Sequence, residues 1–216
     1  MNIKLLFLCL LLSLGAHAED RIFFAQSRWT ELKFNNILPN RVEYRTHSIL
    51  VSVDSSASPL IYKLDNITEV AGFEATVEVN GDLPKQDTFE EDSFFRMGLV
   101  AIGDSQLGTM GKLFAPNWVL QLFKLAPKGA GLDKIYFYSL AANEAILFAE
   151  RIHPSSKYMY EKLIAIKKPG LNVIKYTLPK SLKTAALWIS IDGDNTKSKF
   201  TTEIKNIKLN RAEVNQ

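Results

Sequence analysis

Cysteine is all but missing from this chain. The single one, Cys9, lies inside an N-terminal apolar run, so nothing after residue 18 can form a disulfide or a cysteine-built metal site. Histidine is nearly as scarce. Beyond residue 18 only His47 and His153 remain, and neither stands in a zinc-type spacing. There is no G-x-S-x-G elbow, so nucleophilic or metal-assisted hydrolysis has no support in the residues. Internal repeats and Pro-, Gly- or Ser-rich linkers are absent. Charge of one sign is not concentrated: 26 Lys and Arg stand among 23 Asp and Glu, a formal net charge of +3 with the signs interspersed. A nucleic-acid footprint would need a clustered basic face, so no nucleic-acid partner is expected.

What is present begins with a targeting pattern. Met1-Asn2-Ile3-Lys4 is a short positive segment, Leu5 to Leu14 is apolar, and Ala16-His17-Ala18 fits the small-x-small rule. The reading is a signal peptide over 1–18, cleaved after Ala18, with a single domain over 19–216. The apolar run is too short to span a bilayer comfortably, which argues against an uncleaved anchor, and no integral membrane segment is expected after cleavage. A cysteine-free exported chain suits a bacterial periplasm or the exterior.

The rest alternates like a β protein. Leu187, Ile189 and Ile191 share one side of an extended run, with Trp188 and Ser190 on the other. Asp192-Gly193-Asp194-Asn195 reads as a turn, and Phe200, Thr202 and Ile204 resume the alternation, which makes a hairpin. Ile204 and Ile207 stand three apart, so a bulge is expected near Lys205–Asn206. Ile49 to Val53, Leu60 to Leu64, Phe73 to Val79, Phe94 to Ile102, Lys134 to Leu140, Ala145 to Glu150, Tyr158 to Ala165 and Val173 to Thr177 read as further strands, about eleven in all at regular turn spacing. Leu83 to Asp92 reads as an exposed acidic loop. The rhythm breaks once: after Pro116, Asn117 to Leu125 places Trp118, Leu122 and Leu125 at helical spacing, and Pro127 and Gly129 end it. The expected fold is all-β, an antiparallel jelly-roll-type β-sandwich with one short amphipathic helix inserted.

A Trp-containing first strand, turn signals through the middle and the closing run LWISIDGD…F…I.NIKL resemble the jelly-roll sandwiches of the galactose-binding-like and carbohydrate-binding-module type. More narrowly, Asp92 to Val100 (DSFFRMGLV), with that Trp/Asp-Gly-Asp close, resembles an uncharacterised family of exported bacterial proteins of the same architecture. The resemblance implies a fold and a compartment and, by analogy of class, glycan binding. It carries over no site residues.

Five residues are candidates for a glycan groove near the helix. Tyr136 and Tyr138 share one face of a strand, where phenol rings suit the apolar C–H faces of sugars; ordinary sheet packing is the alternative. Trp118 is either a lid over a groove or the anchor of the helix, and amphipathic spacing favours the anchor. Arg96, within an apolar strand, needs a partner if buried, and Asp92, Asp104 and Glu74 are the candidates; it could instead hold a ligand beside Asp104. Asp192 and Asp194 offer a weak calcium site, though the loop alone supplies too few oxygens, so no cofactor is expected. Trp29 and Trp188 read as core. No placed acid–base pair is visible, and catalysis is not expected. The function expected is therefore an exported, non-catalytic sandwich that binds a glycan or envelope polysaccharide. The alternatives are an envelope scaffold that binds another protein, or a polysaccharide lyase or hydrolase.

Overall fold

The computed structural model describes residues 19–81, 92–106, 108, 113, 115–141, 143–154, 156–168 and 170–212. The expected signal peptide over 1–18 and the acidic loop, save Asp92, lie outside the described residues.

Among the described residues, eleven strands run in the order β1 (Glu19–Arg21), β2 (Trp29–Glu31), β3 (Arg41–Tyr44), β4 (Ile49–Asp54), β5 (Leu60–Gly81), β6 (Ser93–Gly103), β7 (Gly131–Ala141), β8 (Glu150–Ile152), β9 (Met159–Ile166), β10 (Gly170–Asp192) and β11 (Lys199–Arg211). A helix, α1 (Asn117–Leu125), sits between β6 and β7. Hydrogen bonding links the strands in the order β3-β4-β11-β5-β10-β6-β7-β9-β8, with β1 on β11 and β2 on β5. The protein is an all-β sandwich of jelly-roll type.

Two strands make the sandwich. β5 has 22 residues and β10 has 23. Straight, each would run roughly 75 Å at 3.3 Å per residue, in a chain whose compact fold is only about 40 Å across. Both bend and serve two layers. Their first pairing zone joins residues 170–177 to 72–79, a short middle zone joins Leu182–Thr184 to Thr68–Val70, and the last joins Ala186–Ile189 to Leu60–Lys63, with register shifts between. Pro179 falls in the shift between Thr177 and Leu182, where a residue without an N–H leaves no ladder bond unmade. The separate strands expected over 60–64 and 73–79, and over 173–177 and 187–191, are thus continuous, because their polar punctuation marks a bend rather than a break.

One layer holds β3, β4, β11 and the later half of β5 with the earlier half of β10. The other holds β2, the remaining halves of β5 and β10, then β6, β7, β9 and β8. Val51, Val77 and Ile204 of the first face Met97, Leu99, Leu187 and Ile189 of the second in the main core. Phe94 on β6 meets Phe200 on β11 edge to face at 4.8 Å, and Thr202 Oγ1 donates to the Phe94 carbonyl across the same gap. The expected bulge is present as a register shift between Ile204 and Asn206. Two local readings change. Ala145 to Glu150 is mostly a 3₁₀ turn, Glu144–Ile146, capped by the Asn143 side chain, and only Glu150–Ile152 pairs as β8. The pairing of β7 with β9 is parallel, against the antiparallel rule of the other ladders.

The β10–β11 turn is held from outside. The fully buried Asp92 carboxylate accepts from the Asn195 and Thr196 backbone N–H groups at 3.2 and 2.7 Å, and from the Thr196 hydroxyl at 2.5 Å. Asp92→Ala strands those donors, so it should lower the unfolding free energy by about 2–4 kcal/mol. Urea unfolding measures this; a loss under about 1 kcal/mol would mean water replaces the carboxylate.

Candidate functional site

The second layer has an outer face that is itself apolar. Ile61, Val100, Ile135, Phe137, Ala186 and Trp188 point away from the main core and need a cover. Helix α1 supplies it. Val119 and Leu122 are buried against the sheet, Trp118 sets its ring edge to face on Trp188 at 6.5 Å, and Phe123 does the same on Tyr158 at 5.4 Å. Nine residues make a helix only about 13 Å long, so part of the outer face stays open beside it.

That open part is a cavity of about 240 Å³. Its apolar side is built by Trp118, Trp188, Phe137 and Met159, with Phe34 and Ile37 from the segment after β2. Arg96, Ser190, Asp192, Asp194, Asn195 and His153 supply the polar side. Gly98 makes this packing possible. A Cβ there would lie 2.7 Å from a Phe137 ring atom and 2.7 Å from the Trp188 carbonyl oxygen.

The polar side is a network. Arg96 Nη1 stands 3.4 Å from Glu161 Oε1 and 3.6 Å from Asp192 Oδ2, with its guanidinium 5.8 Å from the Phe137 ring centroid. Arg151 Nε donates to Glu161 Oε2 at 2.7 Å. Glu161 is 1% exposed. It reaches the outer face because it alternates with Tyr160 along β9, and register places it beside Phe137. Burial pushes the Asp192 carboxyl up to about 7; Arg96 opposes the rise, while Asp194, Asp92 and Glu161 add to it. A carboxyl in this position exchanges its proton near neutrality.

Of the five expected groove residues, the structure brings two together. Arg96 and Trp118 line the cavity. Trp118 is both anchor and wall. Tyr136 and Tyr138 lie on the opposite face of β7. Tyr138 is 4% exposed in the main core, against Tyr176 at 4.8 Å and Phe73 at 5.6 Å. Tyr136 is half-buried against Tyr160 at 5.4 Å and donates its hydroxyl to Asp133; burial and that bond push its pKa up to about 12. Asp104 is exposed, eight residues beyond Arg96 along β6, roughly 26 Å at strand rise. The partners of Arg96 are Glu161 and Asp192 rather than Asp92, Asp104 or Glu74. Asp92 is engaged by the turn, and Glu74 pairs with Lys175 on the other layer. Asp192 faces the Arg96 guanidinium at 3.6 Å, and among the described residues no group of three His, Cys, Asp or Glu is arranged to hold a metal.

Sequence reasoning missed Glu161, Arg151, His153 and Asn195. Trp188, read as core, is core and cavity wall at once. The outward alternation Trp188-Ser190-Asp192 was the one available signal.

No family model matches the sequence, and no curated protein matches it. Solved structures with a similar course include the family 11 carbohydrate-binding module of the cellulosomal cellulase Lic26A-Cel5E of Clostridium thermocellum, at 10% identity and TM-score 0.42, covering 94% of this chain and 100% of that one. The N-terminal cellulose-binding domain of Cellulomonas fimi β-1,4-glucanase C is similar at 7% identity and TM-score 0.35, with 88% and 93% covered. The exoplasmic/lumenal domain of VIP36, in its Ca2+/Man3GlcNAc-bound form, is similar at 8% identity and TM-score 0.38, with 91% and 90% covered. The jelly-roll assignment itself stands on the strand pairing and the two cores.

The raised Asp192 pKa has a definite sign. Below about pH 4 the carboxyl is protonated folded or unfolded. Between about 4 and 7 the folded state keeps a proton that the unfolded state has released, so stability falls as pH rises, by about 1.4 kcal/mol per unit at most. Asp192→Asn should remove that slope. Urea unfolding of both proteins at pH 4.5, 6 and 7.5 measures it; parallel curves would show Asp192 ionised throughout.

Proposed function

We propose that this protein is an exported, non-catalytic sandwich that binds a glycan of the cell envelope or its surroundings in the cavity beside α1. The observation that carries the reading is the make-up of that cavity. Rings of Trp118, Trp188 and Phe137 form one side, and a guanidinium, carboxylates and an amide form the other. Sugars present both surfaces at once, C–H faces that pack on rings and hydroxyls that take bidentate and charge-assisted hydrogen bonds. A pocket with an apolar body and a few convergent polar groups is the usual form of a small-ligand site. Export rests on the N-terminal pattern over 1–18 and the cysteine-free remainder. The tyrosines of β7 have no part in this site.

One observation favours a second reading. Asp192 is a buried carboxyl at the ring-lined cavity, the buried Glu161 stands on the other side of Arg96, and burial pushes the Asp192 carboxyl up to about 7. Glycoside hydrolysis needs a protonated acid and a second carboxylate. Arg96 lies between these two and ties up both, which favours binding over turnover.

Affinity electrophoresis against a panel of bacterial and algal polysaccharides tests the proposal. Trp118→Ala and Asn195→Ala sit at the cavity and break no buried ion pair. Each should weaken retardation about tenfold or more with the fold intact by circular dichroism. Retardation unchanged in both variants would remove the site. Reducing ends released by the wild type and abolished in Asp192→Asn would establish the hydrolase reading instead.

A further inference from the structure

A second groove flanks α1 on its other side. Its volume is about 440 Å³, within the usual range of ligand sites. The floor is aliphatic, from Leu32, Ile61 and Leu125. The rim is cationic: Arg28, Lys33, Lys63 and Lys124 face it against a single carboxylate, Glu31. Glu31 is engaged elsewhere, since Ser58 Oγ donates to it at 2.8 Å. Arg28 gives one bond to Asp65 at 2.9 Å and lies over the Tyr62 ring.

The three lysines differ from the paired cations on the other layer. On the outer face of the other layer, Lys175, Lys205 and Arg45 neutralise Glu74, Glu78 and Glu203. Lys33, Lys63 and Lys124 are exposed, come from the segment after β2, from β5 and from α1, and form no ion pair among the described residues. Between them, Asn117 and Gln121 share a helix face with Lys124 at i, i+4 and i+7 and add amide groups.

We propose that this groove binds an acidic polysaccharide, with carboxylate or sulfate groups on the lysines, hydroxyls on the two amides, and the apolar ring faces on the aliphatic floor. Charge complementarity selects the occupant. The convergent cations call for a polyanion, and no ring among the lining residues offers the stacking platform that single-stranded nucleic acid uses. The groove and the Trp118 cavity are separate surfaces, so this inference stands without the first reading.

The test uses the protein in native gels containing polygalacturonate, dextran sulfate or a neutral β-glucan, at low and at 0.15 M salt. The carboxylate and sulfate arms distinguish the two sources of charge. Binding to at least one acidic polymer is expected, weakening with salt, and falling about tenfold in the triple variant Lys33→Gln, Lys63→Gln, Lys124→Gln. A control of equal charge, Arg41→Gln, Lys168→Gln, Lys180→Gln, should bind as the wild type does. Three results would overturn the proposal: no binding to either acidic polymer at low salt, equal loss in both triple variants, or retention of duplex DNA through these lysines with the polysaccharides ignored.

Discussion

The bend in β5 and β10 is the constraint on which the rest depends. Each strand is too long to lie in one sheet, so each carries the chain from one layer to the other and hydrogen-bonds both. The two layers cannot slide independently, because shifting one by a residue would turn the shared strands over and expose Leu187 and Ile189 in place of Trp188. Bending also decides which residues face out. Once Leu187 and Ile189 enter the inter-sheet core, Trp188, Ser190 and Asp192 must form a second, outward row. The cavity is therefore a product of strand alternation on a shared strand, with α1 as its partial cover.

The outward row brings a charge problem. Arg96 and Glu161 arrive there from β6 and β9 for the same reason of alternation, and both are buried. Buried ion pairs contribute little net stability, because the loss of hydration offsets the attraction. What Arg96 supplies is orientation. It holds Glu161 and Asp192 at 3.4 and 3.6 Å, while Arg151 takes the other oxygen of Glu161. Burial desolvates the Asp192 carboxylate and raises its pKa, with the Arg96 charge opposing the rise. Asp92 adds a carboxylate nearby and at the same time fixes the turn that carries Asp194 and Asn195 into the cavity.

Local pattern was legible in the sequence where a single segment decided it. Helix α1 runs over the residues its spacing indicates, because Pro116, Pro127 and the apolar stripe between them act within one short stretch. The bulge before Ile207 was legible for the same reason. The strand ends expected at Leu64 and Thr177 are not ends, since a polar or proline residue looks alike at a strand end and at a strand bend. Tyr136 and Tyr138 were correctly on one face, but β7 is covered on both sides, and alternation cannot say which side holds the open surface. Glu161 was illegible in a stronger sense. Its place beside Arg96 depends on β9 joining β7 in parallel, a pairing that no local signal announces.

Helix α1 then acquires a role beyond covering apolar sheet. Its nine residues divide the outer face in two. Trp118 turns toward the ring-lined cavity, while Asn117, Gln121 and Lys124 turn toward the lysine groove. A longer helix would bury both openings, and none would leave Ile61, Ile135 and Val100 in water. The two flanks are also chemically distinct, rings and buried carboxyls on one side, aliphatic floor and free ammonium groups on the other. A surface divided in this way suits a ligand that is polar, ringed and charged along its length, and α1 is the element that keeps those demands apart.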